Sequence, residues 1–176
     1  MDLVRTLQKK IVRDYETLAK IVDSLRATRH HIALTIGSFD MLHIGHLRYI
    51  IRAKERGDVL IVGVDSDRAM KLYKGPDRPI WPETERLEML SYQDPIDWVT
   101  LIDDVDEHGN WQYGLIDVVR PDVFVAVEDS YPEDQRRKIA EYCGELVVLP
   151  RQAEETSSTN TFQRLILTLG KDKERP

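Results

Sequence analysis

His43 and His46 stand three residues apart in the stretch "GSFDMLHIGH", residues 37–46. On a helix that spacing puts both imidazoles on one face. The apolar run "HIALTIG" precedes the stretch, and "LRYII" follows it. A strand that hands over to a helix here leaves free amide N–H groups and the positive end of the helix dipole beside the histidines, a setting that favours an anion. Gly37 permits a tight turn and a close approach of ligand to backbone. Gly45 leaves room early in the helix. Two imidazoles able to donate hydrogen bonds complete a corner suited to phosphate. Alternatively, the pair is solvated or satisfied in the core. Spaced histidines also ligate zinc, but no third His, Cys or acidic residue follows at a matching spacing.

The elements that must position this corner read clearly. "HIALTIG" (31–37), "DVLIVGV" (58–64), "DWVTLI" (97–102), "DVFVAV" (122–127) and "ELVVLP" (145–150) are short, β-branched and apolar on both faces, as strands of a parallel sheet covered on both sides must be. Helical patterns fall between them at 44–55, 66–73, 82–92, 111–119 and 132–142, with a last one at 159–169. Pro82 before "ETERLEML" suits a first helical turn. Strand and helix in alternation imply right-handed crossovers and an α/β, doubly wound, five-stranded parallel sheet. Such sheets bind ligands beyond the carboxyl ends of their strands, where "GSFDMLHIGH" lies. "KGPDRPIWP" (74–82) is the most turn-rich segment and reads as a loop.

Upstream, Leu3, Leu7, Ile11, Leu18, Val22 and Leu25 recur at helical spacing, which predicts one helix over 3–27. Its apolar stripe fits either packing on its own domain or a homodimer contact. The expected organisation is an N-terminal helix over 1–29, one domain over 30–170 and a short tail over 171–176. The 176 residues carry 41% hydrophobic and 32% charged side chains, a balance that excludes wholesale disorder. A net charge of -6 argues against a nucleic-acid partner. Cys143 is the only cysteine, which excludes an intrachain disulfide and a Cys-rich zinc site. No window approaches the length of a membrane span. A cytoplasmic address is the expectation.

"GSFDMLHIGHLRYI" resembles the signature of the HxGH nucleotidyltransferases, a family that includes cytidylyltransferases and several adenylyltransferases. The likeness extends through "GDVLIVGVDSD" (57–67), "KLYKGPDRPIWPETERLEML" (71–90), "RPDVFVAVEDSYPED" (120–134) and "TSSTN" (156–160). "KGPDRPI" with "DWV" further on is most similar to the adenylyltransferases that act on heptose 1-phosphate. The resemblance implies a Rossmann-like fold and a reaction in which a substrate phosphate attacks the α-phosphorus of ATP or CTP and pyrophosphate leaves. The nucleophile is already an anion, so alignment and charge neutralisation must do the catalysis.

The resemblance also implies roles. His43, His46 and Lys74 would be catalytic, stabilising charge at the α-phosphoryl and leaving groups. Gly37, Ser38, Phe39, Asp40, Gly45, Lys71, Asp129, Ser157, Ser158 and Thr159 would bind the nucleotide. Arg78 and Arg86 would bind substrate, Arg86 with subunit contact as an alternative. Alone, the lysines read as solvated surface, Arg86 as a structural ion-pair partner and the serines as helix caps. Mg²⁺ bridging the nucleotide phosphates is the expected cofactor; no carboxylate cage is visible for it. The partners implied are ATP or CTP and a phosphorylated sugar or polyol.

The chain departs from the heptose pattern at one place. Where that pattern has Lys-Gly-Gly-Asp-Tyr, this chain has "AVEDSY", residues 126–131. Ala126, Val127 and Glu128 replace the lysine and the glycines, and Asp129 is kept. Arg151, in "LPRQAEETSST", sits one residue off the arginine of the cytidylyltransferase pattern. A glycerol-phosphate-type cytidylyltransferase and a nucleotide-binding module without turnover are the alternatives. A nucleic-acid binder is the third, because tRNA synthetases carry a similar histidine signature.

Overall fold

The computed structural model describes residues 2–153, 156 and 158–172. Five parallel strands form one sheet in the order β3-β2-β1-β4-β5: β1 (Ile32–Gly37), β2 (Val59–Asp65), β3 (Trp98–Ile102), β4 (Val123–Val127) and β5 (Glu145–Leu149). The strands coincide with the five predicted runs to within a residue at each end. Alternate side chains feed two cores, as a sheet buried on both faces requires. On one face Ile32, Leu34, Ile61 and Phe124 meet Leu18, Val22, Leu115, Ile116 and Ile139. On the other, Ala33, Leu60, Val62 and Val125 meet Tyr49, Ile50, Leu87 and Leu90. Each fully buried aliphatic side chain contributes about 1.5–3 kcal/mol.

The helices are α1 (Leu3–Gln8), α2 (Tyr15–Ala27), α3 (Ile44–Lys54), α4 (Asp67–Lys74), α5 (Glu83–Ser91), α6 (Gly114–Val119), α7 (Glu133–Ala140) and α8 (Ser158–Asp172). The single helix expected over 3–27 is therefore two. Asp14 starts the second by accepting from Thr17 N at 2.7 Å. Between the two, the backbone is drawn onto the open edge of β3: Val12 N donates to Val99 O at 2.8 Å, and Val99 N to Lys10 O at 2.9 Å. That pairing covers an edge strand that would otherwise present unpaired backbone groups. Leu18 and Val22 are buried in the sheet's own core, whereas Leu3 stays 58% exposed. The apolar stripe is mostly used within the chain.

The helix expected from 111 begins only at Gly114. Trp111 instead pairs antiparallel with Val105, closing a small hairpin over residues 105–111.

The chain winds outward from β1 in both directions, so the strand order reverses between β1 and β4. There the two strands pair only from Ala33 to Thr35, while β1 stays paired with β2 through Gly37. Their carboxyl ends part above Thr35 and open a crevice. Beneath it, Thr35 Oγ1 lies 2.6 Å from Tyr49 Oη, and Tyr49 Oη donates to Val125 O at 2.7 Å. This buried chain ties α3 to both strands at the crevice floor.

Candidate active site

The crevice is a cleft of about 870 Å³ over the carboxyl ends of the strands. Its centre is the β1–α3 loop. His43 is the N-cap of α3, and its Nδ1 accepts from Gly45 N at 3.1 Å. A nitrogen that accepts carries no proton, so the proton of the neutral ring sits on Nε2. His46 stacks on His43 with ring centroids 3.9 Å apart. A Cβ on Gly45 would come within 3.0 Å of the His43 ring and 3.1 Å of Ala153, so this glycine lets the capping imidazole lie flat against its own helix. His46 Nδ1 is buried without a hydrogen-bond partner among the described residues. Burial lowers the pKa of His43. Burial first, then the neighbouring His43 and Lys74 charges, push His46 down to about 4. Both shifts favour the neutral ring at pH 7.

Phe39 turns the loop in the left-handed region, with φ of 47°, a conformation that costs a bulky residue energy. Its ring is 4% exposed and meets His46 edge-on at 5.4 Å. Two side chains hold the loop in this shape. Asp40, 3% exposed, accepts from Ile80 N at 2.7 Å, Trp81 N at 3.0 Å and Arg78 Nη1 at 2.8 Å. Arg86 is fully buried and donates to Trp81 O at 2.9 Å, Ser38 O at 2.6 Å and Asp67 Oδ1 at 2.7 Å. The α4–α5 loop is thereby fastened under the β1–α3 loop.

Lys74, the last residue of α4, reaches over the cleft and donates to Ser38 Oγ at 2.7 Å. Loss of hydration lowers its pKa, and the Asp65 and Asp40 carboxylates act against that. The chemistry of this centre is a set of donors around a space: a histidine Nε2–H, an ammonium and the first amides of α3. Such donors bind and polarise a phosphate chain.

The cleft brings together Gly37, Ser38, Phe39, His43, Gly45, His46, Lys74 and Asp129 from the residues singled out in the sequence. Others lie elsewhere. Lys71 is exposed on α4 and does not line the cleft. Asp40, Arg78 and Arg86 sit behind the loop, engaged with one another's segments, and do not face the opening. Asp40 and Arg86 hold the loop's shape from beneath, each through three hydrogen bonds made while buried, and neither lines the cleft. Ser157 lies outside the described residues. Of Ser158 and Thr159 only the backbone is described, in the first turn of α8; Thr156 and Asn160 beside them line the cleft. Arg151 also lines it and donates through Nε to Asp129 Oδ2 at 2.7 Å. Its backbone N donates to Glu128 Oε1 at 3.2 Å, so the acid that departs from the heptose pattern ties the segment after β4 to the segment after β5.

Sequence reasoning missed further lining residues. Asp65, Tyr73, Trp111, Tyr131 and Gln135 also line the cleft, Asp65 from the end of β2, Tyr73 from α4, Trp111 from the hairpin after β3, and Tyr131 and Gln135 from the loop after β4 and from α7. Asp65 is the last residue of β2, and it accepts from Tyr73 Oη at 2.5 Å. Desolvation raises its pKa. One signal was available: in a doubly wound sheet the residue ending any central strand points at the crevice. Trp111 gave none, because the hairpin that carries it is a tertiary feature.

A family model described as cytidylyltransferase-like matches residues 34–164. The chain is 39% identical over 117 residues to the bifunctional protein HldE of a Nitratiruptor species, covering 66% of this chain and 24% of that protein. It is 33% identical over 162 residues to the bifunctional protein HldE of Geobacter metallireducens, covering 92% of this chain and 32% of that one. It therefore spans no more than about a third of the length of these curated relatives. Among solved structures, the lipopolysaccharide core biosynthesis protein from Thermoplasma volcanium GSS1 superposes with a TM-score of 0.60 at 26% identity, over 69% of this chain and 98% of that one. Pantoate-β-alanine ligase from Francisella tularensis superposes at 0.61 with 16% identity, over 86% of this chain and 72% of that one, a likeness of fold alone. With a model matched across most of the chain and the histidine corner at the switch point of the sheet, this chain belongs to the cytidylyltransferase-like family.

Proposed function

We propose that this protein transfers a nucleoside monophosphate from a nucleoside triphosphate, ATP in preference to CTP, to a sugar phosphate resembling heptose 1-phosphate, and releases pyrophosphate. The observation that carries the reading is the stacked His43–His46 pair beside the start of α3, with the Lys74 ammonium facing it across Ser38. The preference for ATP rests on the likeness of "KGPDRPI" to the heptose adenylyltransferases. His43 Nε2–H and the α3 amides hold the α-phosphoryl oxygens. His46 takes up a proton as the polyanion enters and neutralises charge on the leaving pyrophosphate. Lys74 aligns the attacking phosphate. Asp129 binds the nucleotide, and so do Ser157, Ser158 and Thr159, with hydroxyls and amides toward its phosphates.

Among the described residues no group of three or more His, Cys, Asp or Glu could hold a metal. Mg²⁺ therefore fits as an ion held by the nucleotide's own phosphates, where it supplies charge neutralisation. We further propose a homodimer and a cytoplasmic setting, where nucleoside triphosphates and sugar phosphates are available. No described helix is long and apolar enough to cross a membrane.

The test is pyrophosphate release from each nucleoside triphosphate with Mg²⁺ and a panel of aldose 1-phosphates and polyol phosphates. Release with ATP and an aldose 1-phosphate is expected. Release only with CTP and glycerol 3-phosphate would move the chain to the polyol cytidylyltransferases. Nucleotide binding without release across the panel would make it a binding module.

A further inference from the structure

The segment after β5 reaches the cleft with little burial of its own. Of the side chains described on α8, residues 160–168, Thr161 is half-buried and the others are exposed. A helix placed like this gains little from packing, and a short helix holds poorly by propensity alone. Yet Thr156 and Asn160, at its start, line the cleft together with the histidine pair. Something must fix that start relative to the β1–α3 loop. We propose that Arg78 is the positioning residue: it clamps α8 to the β1–α3 loop and so sets how tightly a nucleotide is held between them.

Three observations carry this. First, the segment is pinned on both sides of Thr156. On one side, Arg48 of α3 donates through Nη1 to Gln152 O at 3.3 Å. Ala153 there packs so near α3 that a Cβ on Gly45 would lie 3.1 Å from its own Cβ. On the other side, the Arg78 guanidinium lies over the Phe162 ring, with Cζ 5.4 Å from the centroid. The first pin holds the approach to α8. The second holds α8 itself, about one turn beyond Ser158.

Second, Arg78 serves two elements at once. Its Nη1 donates to Asp40 Oδ2 at 2.8 Å. Asp40 is the buried carboxylate of the β1–α3 loop that also takes the amides of Ile80 and Trp81. A planar guanidinium donates along its edge while its carbon stays over a ring. A lysine ammonium is a point charge and would have to divide itself between the two.

Third, the cation is held. The Arg78 side chain is 20% exposed and that of Asp40 is 3% exposed. A paired, largely buried guanidinium keeps its place, and a cation–π contact strengthens as water is excluded. The position of the loop is thereby passed to Phe162. The effect on the nucleotide rests on the nucleotidyl-transfer reading; the clamp does not.

The experiment has two arms, both on the full chain. Amide hydrogen exchange follows α8 without ligand, and calorimetry measures binding of a non-hydrolysable ATP analogue with Mg²⁺. Arg78→Ala and Phe162→Leu should each speed exchange across α8 about two- to fivefold, the range for one part-exposed cation–π contact, while the amides of β1 and β4 stay as they are. Each should weaken the analogue by a similar factor, and the double variant by no more than either single one. Phe162→Trp keeps a π face and should restore both readings. Phe162→Leu leaves Asp40 with its cation, so it tests the clamp even if Arg78→Ala misfolds. Parent-like exchange of α8 in Phe162→Leu would overturn the clamp, and so would additive losses in the double variant. Faster exchange with the analogue's affinity unchanged would overturn the positioning role. Faster exchange in a chain that never binds the analogue would keep the clamp and overturn nucleotidyl transfer.

Discussion

His43 and His46 share one stack but have different duties, and substitution separates them. His43 uses Nδ1 to cap α3, which leaves Nε2–H as the donor proposed to meet the ligand. Its replacement by alanine removes a donor and the cap together. His46 has no cap to lose. Each substitution by alanine should lower kcat roughly a hundredfold or more, the scale of one lost transition-state donor. Steady-state kinetics will show it, and thermal unfolding should register a larger loss of stability for the His43 variant, by about 1 kcal/mol for the cap. Protonation supplies a second handle. His46 titrates near 4 in the ligand-free protein, below the ordinary 6.5. A bound polyanion raises that value, so nucleotide binding at pH 6 should take up protons. Calorimetry in buffers of different ionisation enthalpy measures the uptake, which should shrink in His46→Gln. The same displacement acts on folding. The unfolded chain binds the proton more readily between pH 6.5 and 4, so ligand-free stability falls as pH drops through that window. The fall should be shallower in His46→Gln.

At the scale of elements, the site depends on one loop being fastened to another. Arg86 is the central tie, fully buried with three partners. Arg86→Met leaves Asp67 without its cation and the Ser38 carbonyl without a donor. A loss of about 3 kcal/mol in urea unfolding is expected, the magnitude for breaking a buried pair on one side. Activity should fall further than stability explains, because Ser38 and Phe39 lose their support. The five strands and most helix positions were legible in the sequence because their patterns are set by burial, and burial leaves a period. "DVLIVGV" could hardly be anything but a strand covered on both faces. What escaped notice was decided by distant partners. The break after Gln8 exists because β3 has a free edge for Lys10–Val12 to cover. Arg86 reads as a surface arginine in "ETERLEML" until α5 is packed against the sheet. Asp65 and Trp111 are 46 positions apart, and only the fold puts them in one cleft.

For the whole molecule, the proposed homodimer has a candidate face. Phe162, Leu165 and Ile166 on α8 are 39%, 49% and 55% exposed, and their i, i+3, i+4 spacing puts them on one face of the helix. Light scattering should give the mass of two chains, and Leu165→Glu with Ile166→Glu should give the mass of one while leaving the unfolding temperature near that of the parent. A dimer that survives this double substitution would place the contact elsewhere, with Leu3 and Val4 of α1 next in line. The N-terminal region is tied to the rest in another way. Tyr15, the first residue of α2, donates to Asp104 Oδ1 at 3.2 Å, the same carboxylate whose second oxygen anchors the Trp111 indole. The back of the molecule is thus wired to the rim of the cleft through a single side chain. A change at Tyr15 is therefore felt at an indole 96 positions further along the chain.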